Sequence, residues 1–201
     1  MAVVDIYTTK RRYATILADP PWRYNRNQTD WKGERSVFDR VLPYRSMPTT
    51  EILALPIERL AERSSMLWLW VTNAHLHEGL HTLKRWGFRY VGMRTWAKPH
   101  YGTGFWLRGQ TEHLMLGVRG QPNRNKQYQP NAVNHGISTL LSAPTGQHSS
   151  KPPESYRDIE RMSKEPRIEL FARRARPGWD SWGLEAKEIN KKLERDVRRY
   201  L

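Results

Sequence analysis

The feature that most constrains the fold of this chain is a short apolar segment that ends in a carboxylate and two prolines. Residues 14–18 are apolar-leaning and of strand length, a pattern that predicts a buried strand. Asp19 follows at once, and then Pro20 and Pro21, each of which fixes its own φ and restricts the residue before it. The strand therefore holds the Asp19 carboxylate in one place.

Trp22 completes this segment with an aromatic ring. A carboxylate, a rigid carbonyl and an aromatic face are the groups that hold a planar heterocycle with an amino substituent, because two acceptors meet the two amino hydrogens and the ring stacks. The same residues also fit a plain alternative, in which the prolines stiffen a turn and Trp22 belongs to the core. These four residues alone do not decide between the two interpretations.

The charge of the chain indicates a polyanionic partner. The 201 residues include 34 Lys and Arg against 20 Asp and Glu, which gives a formal net charge of +14. Nucleic acid is the commonest partner of such a protein, and the alternative is a basic surface, or a ribosome-like setting, without catalysis. The length fits one α/β domain with a full core.

Composition excludes several kinds of site and location. The chain has no cysteine, which excludes disulfides and thiolate metal sites. Its N-terminus is too polar for a signal peptide, and it has no apolar run long enough to span a bilayer. We therefore expect a cytoplasmic or nucleoid-associated protein without a membrane partner. His75, His77 and His81 do not match the zinc-protease pattern, and we expect them to be solvated and the protein to hold no metal.

Predicted strands and helices alternate along the chain. Residues 66–71 form a continuous apolar run, as in an inner strand of a parallel sheet that is covered on both faces. The same reasoning predicts strands at residues 90–98, 112–118, 137–141 and 167–173. Helices are predicted at residues 49–61 with caps at Thr49 and Thr50 and a break at Pro56, at 75–86 with a stop at Gly87, and at 153–162 after two prolines.

Polar, basic stretches interrupt this alternation at residues 23–45 and 98–135, and a mixed-charge tail follows at 185–201. Basic side chains beside aromatic ones suit phosphate contact and base stacking, so we interpret the two stretches as substrate loops. The candidate phosphate contacts in the first loop are Arg26, Lys32 and Arg35.

The motifs, taken together and in this order, resemble the adenine-N6 methyltransferases of the Asp-Pro-Pro-Trp type. This is the family of the catalytic subunit of the eukaryotic messenger-RNA adenosine methyltransferase and of bacterial and phage DNA adenine methylases. The resemblance covers roughly residues 13 to 183. The segments that carry it are Asp19-Pro20-Pro21-Trp22, Leu67-Trp68-Leu69-Trp70-Val71-Thr72, Trp96-Ala97-Lys98, Gly104-Phe105-Trp106-Leu107, Glu112-His113-Leu114-Met115-Leu116-Gly117-Val118, His148-Ser149-Ser150-Lys151-Pro152 and Glu169-Leu170-Phe171-Ala172-Arg173.

The resemblance implies a Rossmann-like, doubly wound and mostly parallel sheet in which the order of the motifs is permuted. It implies a catalytic segment, formed by Asp19, Pro20, Pro21 and Trp22. Within that segment, the Asp19 carboxylate and the Pro20 carbonyl would hold the adenine amino group, and Trp22 would pack against the base.

The resemblance also implies that S-adenosylmethionine is the methyl donor. Lys151 would meet its carboxylate, and Asp19, Glu169, Phe171 and Arg173 would complete the donor pocket. Residues implied on the acceptor side are Tyr44, Lys98 and Glu112. One departure from the family pattern is Leu184, which stands where relatives often carry an asparagine that contacts the ribose.

The expected function is therefore methylation of the exocyclic N6 amine of adenine in nucleic acid, with DNA favoured by the likeness to bacterial and phage relatives. Two alternatives remain, an RNA adenine methyltransferase and a catalytically silent nucleic-acid-binding subunit of the same fold. A homodimer, or a heterodimer with a related subunit, is the expected assembly.

Overall fold

The computed structural model describes residues 2–23, 46–102, 106–120, 137–146 and 150–183. Its centre is one seven-stranded sheet with the order β5-β3-β4-β2-β1-β6-β7. Strand β4 runs antiparallel to its neighbours, and the other pairs in the sheet are parallel. The strands are β1 Tyr13–Ala18, β2 Ala61–Thr72, β3 Arg89–Ala97, β4 Thr111–Arg119, β5 Leu140–Ser142, β6 Arg167–Leu170 and β7 Trp179–Trp182.

Helices cover both faces of this sheet. The described helices are α1 Thr49–Leu53, α2 Ile57–Leu60, α3 Leu76–Arg85 and α4 Pro153–Met162. Side chains alternate between the faces of a strand, so Ile16 and Ala18 of β1 join the core cluster of α1 to α3, whereas Leu17 joins the cluster of α4. This arrangement confirms the predicted α/β fold with a mostly parallel, Rossmann-like sheet.

The inner strand β2 follows the prediction from its continuous apolar run. It pairs with β1 on one side and β4 on the other, and residues 66–71 are buried. Leu67 and Leu69 face one core cluster, and Trp68 and Trp70 face the other. Burial on both faces is why this segment lacks the polar alternation of a half-exposed strand.

The structure confirms the positions of the predicted helices and contradicts the predicted caps of the first one. Helix α4 has the predicted bounds, and Gly87 has a φ of +82° just beyond α3, where a left-handed residue ends a helix. The predicted break at Pro56 is confirmed too, since two short helices lie on either side of it, and the second ends at Leu60, one residue earlier than predicted. The predicted caps are wrong, since Thr49 and Thr50 lie inside α1.

The structure differs from the sequence prediction at β6 and β7. Strand β6 stops at Leu170, three residues earlier than predicted, because Phe171 turns the chain with a φ of 62°. Strand β7 follows Pro177 and Gly178, which favour a turn, and it pairs in parallel with β6. Within the described ranges, no helix is long and apolar enough to cross a membrane.

The strand directions place the chemistry-bearing residues at one edge of the sheet. The carboxyl ends of β1, β2, β3 and β6 and the amino end of the antiparallel β4 meet there. In open α/β sheets, ligands bind outside the carboxyl ends of the strands. Asp19, Lys98, Glu112 and Glu169 all lie at this edge.

Candidate active site

The proline turn after β1 fixes Asp19 at the carboxyl edge. The Trp22 backbone N–H donates to the Pro20 carbonyl at 2.8 Å, and the Met47 N–H donates to the Pro21 carbonyl at 2.8 Å. A carbonyl oxygen has two lone pairs, so the Pro20 carbonyl keeps acceptor capacity beyond its bond with Trp22. The turn therefore presents a carboxylate and a carbonyl from a backbone that has little freedom.

Trp22 is a core residue in this structure. Its side chain is 5% exposed, its indole N–H donates to the Trp70 carbonyl at 3.0 Å, and its ring stacks on His75 at a centroid distance of 5.6 Å. The expectation that Trp22 offers an open face to a base needs correction, because the ring is packed into the protein. Its place in the structure is to fasten the proline turn to β2.

His75 supports this turn and was not expected to do so. Its ring is 4% exposed, with Nδ1 2.8 Å from the Thr72 hydroxyl and Nε2 3.3 Å from the Arg23 carbonyl. Burial lowers the pKa of His75, so the ring is neutral at neutral pH. The prediction of a solvated side chain is wrong for His75, whereas His77 and His81 are exposed as expected.

Four charged side chains meet beside this turn, and we call them the ion cluster: Asp19, Lys98, Glu112 and Lys151. The Lys151 ammonium lies 2.8 Å from Asp19 Oδ2 and 3.3 Å from Glu112 Oε2. The Lys98 ammonium lies 2.5 Å from Glu112 Oε1. Two cations therefore alternate with two anions at the edge of the sheet.

Mutual attraction keeps this cluster charged although it is largely buried. Burial opposes the charged form of Lys151, but the carboxylates of Asp19 and Glu112 outweigh burial and raise the pKa of Lys151. Burial would likewise raise the pKa of Glu112, but Lys151 and Lys98 lower that pKa overall. At neutral pH the cluster holds a lysine cation that two carboxylates share.

Two tryptophan rings lie next to the cations of the ion cluster. The Lys98 ammonium lies 4.8 Å from the ring centroid of Trp96, and that of Lys151 lies 5.5 Å from the ring of Trp70. The two rings meet edge to face at 6.2 Å. Both cations therefore lie within cation–π range of rings that the core holds in place.

Glu169 on β6 lies next to β1 and carries a third carboxyl group to the same edge. It pairs with Leu17 in the sheet and accepts a hydrogen bond of 2.7 Å from the Tyr156 hydroxyl. Burial raises the pKa of Glu169 to about 7, and the guanidinium of Arg176, stacked on Tyr156 at 3.5 Å, offsets part of this effect. At neutral pH the Glu169 carboxyl can therefore exist in either protonation state.

The backbone just beyond Glu169 is bent in an unusual way. Phe171 has a φ of 62°, in the left-handed region that non-glycine residues seldom adopt. Its ring packs edge to face on Trp182 at 5.3 Å, and the next residue, Ala172, donates its N–H to the Trp182 carbonyl at 3.0 Å. Contacts with Trp182 at the end of β7 thus hold the turn after β6 in this left-handed conformation.

Comparison with known proteins assigns this edge to a family. The family model described as MT-A70 matches residues 13–185. The chain belongs to the MT-A70 family. The matched residues include every strand of the sheet and all the charged side chains of the ion cluster.

Individual relatives of this MT-A70 chain fall into two groups. It is 29% identical over 189 residues to the type II methyltransferase M.MunI of a Mycoplasma species, a match that covers 88% of this chain and 78% of that protein. It is 30% identical over 191 residues to human METTL3, named as an N(6)-adenosine-methyltransferase catalytic subunit, with 89% and 29% covered. It is also 30% identical over 188 residues to an MT-A70-like N(6)-adenosine-methyltransferase of Drosophila melanogaster, with 88% and 27% covered. The chain thus spans about a quarter of the length of these eukaryotic relatives.

The structure brings together most of the described residues that the sequence singled out in this MT-A70 chain. Asp19, Lys98, Glu112 and Lys151 form the ion cluster, and Glu169 lies on the strand beside Asp19. Phe171 and Arg173 follow Glu169 in the turn after β6. The remaining predicted residues lie outside the described part of the chain, and these are Arg26, Lys32, Arg35, Tyr44 and Leu184.

Three side chains at this site were not predicted from the sequence to belong to it. Tyr156 lies in the predicted helix at residues 153–162, where the need of a buried phenol for a hydrogen-bond partner was the available signal. His75 and Arg176 gave no signal, since a strand end and a charged turn are ordinary places for them. Among the residues the structure describes, no three His, Asp or Glu side chains come close enough together to hold a metal ion.

Proposed function

We propose that this chain transfers a methyl group from S-adenosylmethionine to the exocyclic N6 amine of adenine in nucleic acid, and that DNA is the preferred polymer. The observation that carries the proposal is the Asp19 carboxylate, which the proline turn fixes at the carboxyl edge of the sheet 2.8 Å from the buried Lys151 cation. Membership of the MT-A70 family supports the reaction class.

The acceptor side of the proposal rests on the chemistry of adenine. Its exocyclic nitrogen is a poor nucleophile because the lone pair is delocalised into the ring. The Asp19 carboxylate and the Pro20 carbonyl supply two fixed acceptors for the two amino hydrogens, which localises the lone pair on nitrogen. As the N–C bond forms and the sulfur–methyl bond breaks, the surplus proton on nitrogen leaves toward Asp19 or solvent. Orientation and preorganised charge supply the rate in this scheme.

The donor side fits the residues around Lys151. When bound, S-adenosylmethionine supplies an activated methyl group together with a carboxylate and a ribose. The Lys151 ammonium can exchange Asp19 for the ligand carboxylate, and the Trp70 indole N–H is buried without a hydrogen-bond partner among the described residues. Glu169, Phe171 and Arg173 complete the proposed pocket on the β6 side.

Exchange of partners by Lys151 gives the site a proposed order of events. While Lys151 pairs with Asp19, one carboxylate oxygen of Asp19 is engaged by a cation. A ligand carboxylate that draws Lys151 away leaves that oxygen to accept an amino hydrogen of adenine. The donor thereby prepares Asp19 for the base.

The polymer is proposed from charge and from the relatives. A net charge of +14 suits a phosphate backbone, and Arg26, Lys32, Arg35 and Tyr44 are the proposed contacts of the first basic loop. A target base in a duplex would have to be flipped out, at a cost of a few kcal/mol. The type II methyltransferase, matched over 78% of its length, favours DNA, whereas the relatives named for adenosine favour RNA as the second candidate.

Assembly is a further part of this proposal. The human relative is named a catalytic subunit, which supports a heterodimer with a related subunit as well as a homodimer. A silent binding subunit is the weaker candidate for this chain itself, because Asp19 and Lys151 are both present and paired.

The test is turnover on matched substrates. The protein is incubated with methyl-labelled S-adenosylmethionine and with duplex DNA, single-stranded DNA or RNA of one sequence, and the modified base is mapped. We expect N6-methyladenine in DNA. Label confined to RNA would overturn the polymer preference, and absence of label from every polymer would overturn the enzyme assignment.

A further inference from the structure

Lys98 was expected on the acceptor side, but its contacts in the structure lead toward Lys151. We infer that Lys98 is a positioning residue for the methyl donor, which holds the Glu112 carboxylate so that Lys151 stays available for the donor carboxylate. The inference rests on the proposed function and adds a role that works through Glu112, without contact between Lys98 and either substrate.

The backbone holds Lys98 in register with Glu112. The Lys98 N–H donates to the Gln110 carbonyl at 2.9 Å, and the Gln110 side-chain amide donates back to the Lys98 carbonyl at 2.9 Å. Trp96, two residues earlier, pairs with Glu112 across the β3–β4 ladder. The Lys98 side chain therefore runs along the same face toward Glu112.

The side chain of Lys98 is also held at its charged end. Its ammonium contacts Glu112 Oε1 at 2.5 Å and lies 4.8 Å from the ring centroid of Trp96, and the side chain is 22% exposed. A surface lysine that contacts phosphate keeps its ammonium in water on a flexible stem. Lys98 is instead enclosed between a carboxylate and an aromatic ring.

Competition for Glu112 explains what this contact achieves. Each oxygen of Glu112 faces a different cation, with Lys98 at 2.5 Å and Lys151 at 3.3 Å. With Lys98 present, the four formal charges of the ion cluster sum to zero. Without Lys98, Glu112 would have Lys151 as its only cation in the cluster. The Glu112 carboxylate would then hold Lys151 more firmly, because opposite unit charges at such distances attract each other strongly.

Donor affinity should therefore report on Lys98. Calorimetric titration with S-adenosylmethionine would compare the wild-type protein with Lys98→Met, Glu112→Gln and the double variant. We expect Lys98→Met to weaken donor binding about tenfold, which corresponds to the net value of one charged hydrogen bond. The KM for the donor should rise by the same factor while kcat changes little, and Lys98→Arg should restore binding.

The double variant separates action through Glu112 from direct contact. Because Lys98 has no role once Glu112 is uncharged, Lys98→Met should have no effect on donor binding in the Glu112→Gln background, a strong departure from additivity. Arg157→Met is the matched control, since it removes one positive charge from an exposed pair with Glu154 and should leave donor affinity unchanged.

Three outcomes would overturn the inference. The first is a donor affinity of Lys98→Met within twofold of wild type, and the second is that the effects of the two substitutions on donor binding add in the double variant. The third is a rise in the KM for nucleic acid alone, which would make Lys98 an acceptor contact. Thermal unfolding of each variant, with Lys98→Arg as the conservative form, separates these outcomes from misfolding. If the wild-type protein bound no S-adenosylmethionine, the proposed function would fail and this inference with it, whereas normal turnover with an unaffected Lys98→Met would remove the inference alone.

Discussion

Two buried cations tie the region of α4 to the sheet, and they are held in different ways. Arg94 of β3 donates from Nε to the Ser138 carbonyl at 2.7 Å, from Nη1 to Asp158 of α4 at 2.7 Å and from Nη2 to the Leu140 carbonyl at 3.4 Å. All three guanidinium nitrogens are therefore engaged by fixed acceptors. Such a planar fork makes a rigid structural contact.

Lys151, just before α4, is held by two carboxylates, each of which also has another role. Its single ammonium lies 2.8 Å from Asp19 and 3.3 Å from Glu112. The first carboxylate is the proposed acceptor of adenine hydrogens, and the second is already neutralised by Lys98. An ammonium on a flexible stem can leave such partners for a ligand, so the contact of Lys151 suits exchange and that of Arg94 suits stability.

The largest expected effect tests the structural half of this comparison. Arg94→Met leaves Asp158 with the exposed Arg161 at 3.6 Å as its described ion partner and removes the hydrogen-bond donor of two carbonyls, so the free energy of unfolding should fall by about 3–5 kcal/mol. Urea denaturation measures this loss. Arg157→Met, at a pair whose arginine side chain is 68% exposed, is the control and should cost at most about 1 kcal/mol. Equal losses of unfolding free energy in the two variants would contradict a structural role for the buried contact of Arg94.

The pH dependence of stability tests Glu169, the third carboxyl group of the site. Glu169 titrates near 7 in the folded protein and near 4.5 when unfolded, so the folded state binds more protons between these values. The stabilisation from Glu169 should be complete below pH 4.5 and should be lost as the pH rises through 7, by about 3 kcal/mol.

Urea denaturation at a series of pH values measures this effect as the difference between wild type and Glu169→Gln. The control is Glu165→Gln, which changes an exposed carboxylate and should reproduce the wild-type curve. Parallel curves for wild type and Glu169→Gln would show that Glu169 titrates at an ordinary pKa.

The smallest expected free-energy change sharpens the other half of the comparison. Lys151→Met removes the proposed charge-assisted contact to the donor, worth roughly 1.5–3 kcal/mol, so calorimetry should show donor affinity about 10- to 100-fold weaker. The loss of stability should be smaller than for Arg94→Met, because Lys98 still neutralises Glu112. Lys84→Met, an exposed lysine of α3, is the control. Unchanged donor affinity would contradict the exchange of partners by Lys151.

The sequence predicted the parts of the fold that local patterns specify. The apolar runs of β1 and β2, the prolines before α4 and the glycine after α3 each carry their own signal. Strand β7 carries none, since four residues after Pro177 and Gly178 resemble a turn, and only pairing with β6 makes them a strand. Sheet order and direction come from such long-range pairing, which a single sequence does not reveal.

The site shows the same division between local and long-range information. Asp19 and Lys151 stand out in the sequence because prolines fix their positions, yet their contact depends on how β1 and α4 meet in space. The burial of Trp22 against His75 likewise arises from the fold, and the same aromatic residue would have served either interpretation. The residue types of the site could be predicted from the sequence, whereas the contacts between these residues could not.

The measurement that tests the central claim most directly is single-turnover methyl transfer by the Asp19→Ala variant. The protein is mixed with labelled S-adenosylmethionine and a DNA oligonucleotide that the wild type methylates, and thermal unfolding and oligonucleotide binding are measured on the same samples. Because Asp19 is the proposed preorganised acceptor for the reacting amine, transfer should fall by at least about 10²–10³-fold while the fold and oligonucleotide binding persist. Transfer near the wild-type rate would remove Asp19 from the mechanism and contradict the account.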